Sequence, residues 1–71
     1  MQQLILKQEH INYLVSKPET GMGYQLVDIT LMDGRKLTER VVFNSERLVL
    51  KDGERLLIPD IALVEFNPKK G

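Results

Sequence analysis

VDITLMDGRKLTERVVF, Val27 to Phe43, decides the fold. Val27, Ile29 and Leu31 alternate with Asp28, Thr30 and Met32. A period of two is the mark of a strand with one buried face. Asp33-Gly34 follows, a pair that favours the tight reversal of a β-hairpin. The chain returns from about Lys36 to Phe43, with Leu37, Val41 and Phe43 on one face. Glu39 interrupts that face, which places it near a sheet edge. If Gly34 is left-handed at the end of a three-residue loop, Ile29 faces Leu37 and Asp28 faces Thr38. A return one residue longer sets Asp28 opposite Arg40. Both registers stay open, because a slip of one residue exchanges the two faces.

Downstream, Asn44-Ser45-Glu46 reads as a turn, since Asn and Ser bond nearby backbone in such places. Leu48 to Leu50 is the next strand, Asp52-Gly53 closes a second hairpin, and Arg55 to Ile58 returns. Pro59 cannot donate to a ladder and ends that strand. Pro59-Asp60-Ile61 forms a single 3₁₀ turn, with Asp60 capping its amides. Ala62 to Phe66 is the last strand, and residues 67–71 are a polar tail that frays. Gly34 and Gly53 are expected at positive φ.

Upstream, the period is less clear. A helical stripe over the first fifteen residues is broken by Lys7 and Gln8. Ile11, Tyr13 and Val15 alternate with His10, Asn12 and Leu14, which favours a strand from about 10 to 16, with Leu4–Leu6 a short strand of its own. At least half of the chain should then be strand, with no helix longer than about two turns.

These elements give an all-β domain. It is a small, strongly bent antiparallel sheet or SH3-like barrel of five to six short strands, with one 3₁₀ turn before the last. The resemblance to SH3-like barrels is one of architecture and implies no function. A narrower resemblance rests on SKPETGMGYQLVDITLMDGR, Ser16 to Arg35, with Asp60-Ile61 near the end. It is similar to a recurring KPETGMGYQ…DGR pattern of small bacterial proteins to which no activity is attached. It implies a bacterial source and carries over no catalytic or binding residue.

The whole chain narrows the function. Its 71 residues make one small domain, 1–71, whose core is modest. It has one histidine and no cysteine, which excludes an ordinary Cys/His zinc site and any disulfide. Asp28, Asp33, Asp52, Asp60 and Glu65 do not match a calcium loop, so neither a metal nor another cofactor is expected. Ten basic and ten acidic side chains cancel, so long-range attraction to nucleic acid or anionic lipid is not expected. MQQLILKQEH is too short and too polar for a signal peptide, and no segment approaches a membrane span, so the expected location is cytoplasmic.

Candidate chemistry is sparse. His10 has a suitable pKa for a general base, but no nucleophile–base pattern accompanies it, and Ser16 and Ser45 lie in turns. His10 reads as a lone surface histidine, and the protein as no enzyme. The segment KPETGMGYQ, Lys17 to Gln25, is the most distinctive loop. Its glycines, Gly21 and Gly23, permit backbone shapes closed to other residues, and Pro18 fixes one angle. As a long β-hairpin loop it is only a connection. As a recognition loop it offers Lys17, Thr20, Gly21, Met22, Gly23, Tyr24 and Gln25, with Tyr24 as anchor. Tyr13 and Tyr24, near Lys17, Arg35 and Arg40, could make a stacking platform for nucleic acid, or could cover the mouth of a small barrel. The first expectation is a small interaction module that binds a protein or a second copy of itself as a twofold dimer. Leu26, Met32, Val42 and Leu57 exceed what one thin sheet hides, and open edges need cover. A nucleic-acid binder using the Tyr13/Tyr24 region is the alternative.

Overall fold

The structure, a computed structural model, describes residues 2–19 and 22–68. In chain order the elements are β1 (Gln3–Ile5), α1 (Gln8–Val15), β2 (Tyr24–Leu31), β3 (Lys36–Phe43), β4 (Arg47–Val49), a 3₁₀ turn (Ile58–Asp60) and β5 (Ile61–Phe66). The strands form one antiparallel sheet in the order β1-β4-β3-β2-β5. It curls into a half-barrel without closing, so β1 and β5 are its two edges. Strand accounts for 43% of the described residues, short of the half that alternation suggested.

β2 and β3 build the hairpin around Met32, Asp33 and Gly34. The Leu31 amide donates to the Arg35 carbonyl, and Gly34 has φ +93°. Gly53 is left-handed too, at φ +74°. Asp33 Oδ1 accepts from the Arg35 amide at 3.1 Å, which locks the turn. Next to the turn, Ile29 pairs with Leu37. Beyond Asp28 the ladder shifts by one, so Val27 pairs with Arg40 and Leu26 with Val41. The register that sets Ile29 against Leu37 therefore holds only next to the turn, the one that sets Asp28 opposite Arg40 is not formed, and a β-bulge at Thr38-Glu39 leads into the shifted ladder. Glu39 takes φ +55°, and its amide donates to Asp28 Oδ1 at 3.0 Å.

The bulge corrects the face assignment of β3. Leu37 points inward, but the extra residue turns Arg40 and Val42 into the core and leaves Val41 and Phe43 outside. Glu39 thus marks a bulge in a central strand and not an edge.

The N-terminal reading is also corrected. Residues 8–15 are a helix, not part of a strand over 10–16. Lys7 and Gln8, which break a stripe counted from Leu4, stand at the helix start, where no stripe is required. His10 and Leu14, one turn apart, are buried, while Val15 is exposed. Alternation at Ile11, Tyr13 and Val15 is too short a run to separate the two periods. The short strand before it does form and pairs with β4.

Two smaller corrections follow. Residues 55–58 do not pair into a returning strand. The 3₁₀ turn starts one residue early, at Ile58, with Asp60 Oδ2 accepting from the Leu57 amide at 3.0 Å. β5 returns across the sheet to pair with β2. Asn67, assigned to the tail, is anchored by its amide on the Leu26 carbonyl.

Candidate interaction surface

The sheet has two unlike faces. Gln25, Val27, Ile29 and Leu31 of β2 point inward and are buried. With Val42, Leu48, Ile61 and Val64, the apolar members enclose the core under α1, which contributes Leu14. On the outer face, the register aligns Tyr24 with Phe43, Phe43 with Arg47, and Arg47 with Ile5. A single row therefore crosses β2, β3, β4 and β1. Leu26 and Val41 pair directly beside it. Tyr24, Leu26, Val41 and Phe43 are partly exposed, and Ile5 keeps 53% of its surface. None of the five packs against the core cluster. An antiparallel sheet that shows one face to water normally makes that face polar. This one is apolar over the half that holds Tyr24 and Phe43, and mostly polar at the other end, where Asp28, Thr30, Lys36 and Glu65 stand beside the exposed Leu63.

The Lys17–Gln25 segment is a helix-to-strand connection rather than a β-hairpin loop, and its residues have different roles. Gln25 is only 1% exposed. Its Nε2 donates to the carbonyls of Leu14 at 2.8 Å, Lys17 at 3.1 Å and Pro18 at 3.3 Å. It thereby satisfies acceptors that the helix end leaves open. Its Oε1 accepts from the Ser45 hydroxyl at 3.0 Å. Gln25 is therefore an internal strut and offers nothing to a ligand. Gly23 is left-handed at φ +79° and its carbonyl accepts from the Asn44 amide. Met22 is 98% exposed, and the Lys17 ammonium stands 5.3 Å from the Tyr13 ring centre. Thr20 and Gly21 lie outside the described residues. Of the described residues in the expected loop set, Tyr24 alone joins the apolar row.

The two tyrosines are not brought together. Tyr13 packs on the core from α1, and its hydroxyl accepts from the Phe66 amide at 2.8 Å. Tyr24 is on the other side of the sheet. Arg35 is paired with Asp33 at 2.8 Å. Arg40 is buried and grips Glu54 with two hydrogen bonds, at 2.5 and 3.0 Å, while donating to the Val49 carbonyl at 3.1 Å. Those bonds hold the Glu54 carboxyl below its ordinary range, the Arg40 hydrogen bonds contributing most.

His10 is buried, at 7% exposure, rather than a surface residue, and its Nε2 has no partner among the described residues. Burial lowers its pKa; Glu9 opposes that shift and Lys7 adds to it. The Ser16 hydroxyl donates to the Tyr13 carbonyl at 2.6 Å, and the Ser45 hydroxyl is committed to Gln25. No group of three or more metal-ligating side chains comes together among the described residues. None of the described helices is long and apolar enough to cross a membrane.

Phe43, Arg47, Val41 and Ile5 are the surface residues that sequence reasoning missed. The period of two puts Phe43 on the face of Leu37, and the bulge turns it to the other. A positive-φ glutamate leaves no pattern, although Glu39 in an apolar face was the visible irregularity. No known protein family matches the chain, and neither curated proteins nor solved structures give a match.

Proposed function

We propose that the protein is a small, non-catalytic interaction module and that the outer face of β2, β3 and β4 binds a protein partner. The observation that carries this is the row Tyr24–Phe43–Arg47–Ile5 with Leu26 and Val41 beside it, apolar and outside the core. Aromatic residues and arginine at the centre of a patch are the types that dominate interface energetics. A rigid sheet presents them with little ordering cost. The Gln25 amide fixes the start of β2 and thus the place of Tyr24. The non-catalytic part rests on His10, Ser16 and Ser45, which are held apart by separate partners or burial.

The test compares the parent with Tyr24→Ala and Phe43→Ser, each shown to be folded, as baits in a native lysate of the source organism. A protein retained by the parent and lost from both variants supports the reading. Identical retention by all three overturns it.

One observation favours a second reading. Tyr24, Phe43 and Arg47 side by side on an open sheet face form a stacking platform for single-stranded nucleic acid, in place of the Tyr13/Tyr24 platform. Binding of a labelled single-stranded oligonucleotide that weakens steeply with salt and vanishes in Phe43→Ser would move the assignment to nucleic acid.

A further inference from the structure

The two edges of the sheet are built differently. At β5 the free edge is defended. The Phe66 amide, which points away from β2, is satisfied by the Tyr13 hydroxyl. The ladder shifts between Thr30 and Leu31, leaving Ala62 as an extra residue. Glu65 puts a charge on the strand, and the α1 residues Glu9, His10 and Tyr13 form a groove with residues 62–65. A bulge, a charge and a covering element are the devices that stop strands from adding to an edge.

Among the described residues, β1 has none of these. The Leu6 amide donates to the Glu46 carbonyl, and the Leu50 amide donates to the Gln2 carbonyl. Gln2, Leu4 and Leu6 therefore face β4, and alternation turns the amides and carbonyls of Gln3 and Ile5 outward. Neither has a backbone partner there among the described residues. Gln2 to Leu6 reads Gln-Gln-Leu-Ile-Leu, with no charge, proline or glycine.

We infer that β1 pairs antiparallel with β1 of a second copy about a twofold axis at Leu4, making one continuous sheet through both chains. This inference does not depend on the outer face being the binding surface. The strand is complementary to itself in that register. Gln3 of each copy pairs with Ile5 of the other, with about four main-chain hydrogen bonds. No charges meet within residues 2–6, and the chain's balanced charge adds no net repulsion. Leu4, which packs toward the core, meets its counterpart at the axis on the inner face. The outer rows, each ending at Ile5, come side by side across the axis. A twofold contact of this kind is closed, so it stops at a dimer. A strand from an unrelated protein would need the same donors and acceptors, but nothing on this edge selects it over a second copy.

Sedimentation velocity from low to high micromolar concentration tests it. The parent should pass from monomer to dimer, and amide exchange at Gln3 and Ile5 should slow over the same range. Ile5→Pro removes an outward-facing donor together with the exposed Ile5 side chain, leaves the bonds to β4 in place, and should stay monomeric with its melting temperature little changed. Ile5→Lys, with a charge beside the axis in each copy, should weaken dimerisation at least tenfold. A parent that is monomeric throughout overturns the inference. So does a dimer that persists in both variants, or one that is lost in Phe43→Ser but kept in Ile5→Pro.

Discussion

His10 is a buried imidazole with an unpartnered Nε2, and its neighbours fix the sign of its effect on stability. Burial depresses its folded-state pKa below the ordinary 6.5. The unfolded chain then binds the proton more readily, so the neutral ring's contribution is complete above pH 6.5 and is lost as pH falls through the folded value. The melting temperature should therefore fall as pH drops below about 6.5, and His10→Leu should flatten that slope. A parent with a level profile over this range would count against the burial. Glu54 and Asp33 are also depressed, from 4.5 and 3.8, so their contributions disappear only at more acidic pH. Gly34 is a second residue whose role is decided locally. Its φ is +93° and a Cβ there would meet nothing within 4 Å, so any cost of a side chain lies in the backbone. Gly34→Val should lose about 1 kcal/mol or more in denaturant unfolding. An unchanged midpoint would show that the turn accommodates a β-branched residue.

At the scale of elements, the segment after β4 shows how a piece without a ladder is held. Residues 50–57 are not a strand, yet Glu54 is fastened to Arg40 of β3, and Glu54 Oε1 also accepts from the Lys51 amide at 3.0 Å. The pair reaches from the Asp52-Gly53 turn to the middle of the sheet. Removing one partner strands the other. Arg40→Ala should cost about 3 kcal/mol, at the low end for a buried pair because Glu54 keeps 20% of its side-chain surface exposed. Amide exchange should accelerate across residues 50–57 before it does in β2. A global loss with no early opening of that segment would show that the clamp serves the whole sheet. The sequence showed the strands better than their partners. β2 was visible because its alternation is long enough to specify period two, β3 because the Asp33-Gly34 turn precedes it, and the final strand because Pro59 and the 3₁₀ turn mark its start. β5 pairing with β2 was not visible, since nothing local encodes which strands meet. Helix α1 was misread because Ile11, Tyr13 and Val15 fit both periods over so short a run. Only the burial of His10 with Leu14 settles it. The candidate surface was legible at Tyr24 and hidden at Phe43, because one residue in left-handed conformation, Glu39, moves every side chain after it to the opposite face.

For the molecule as a whole, a single curled sheet has only one side on which to build a core. That core includes Ile29, Val27 and Val42, each fully buried, with Leu14 of α1 set in the concavity. A domain this small has a margin of only about 5 kcal/mol. Residues of the same chemistry on the two faces should then differ sharply in consequence. Ile29→Ala removes packing from the core and should cost about 2–5 kcal/mol, enough to leave much of the protein unfolded. Phe43→Ser removes a cross-strand neighbour of Tyr24 on the outer face and should cost about 1 kcal/mol or less. Urea unfolding followed by circular dichroism separates the two outcomes. A Phe43→Ser variant that unfolds as readily as Ile29→Ala would make the outer row a second core belonging to the fold. A variant that keeps its midpoint leaves an aromatic and apolar row that stability does not require. Contact with another molecule is then what accounts for its place on the surface.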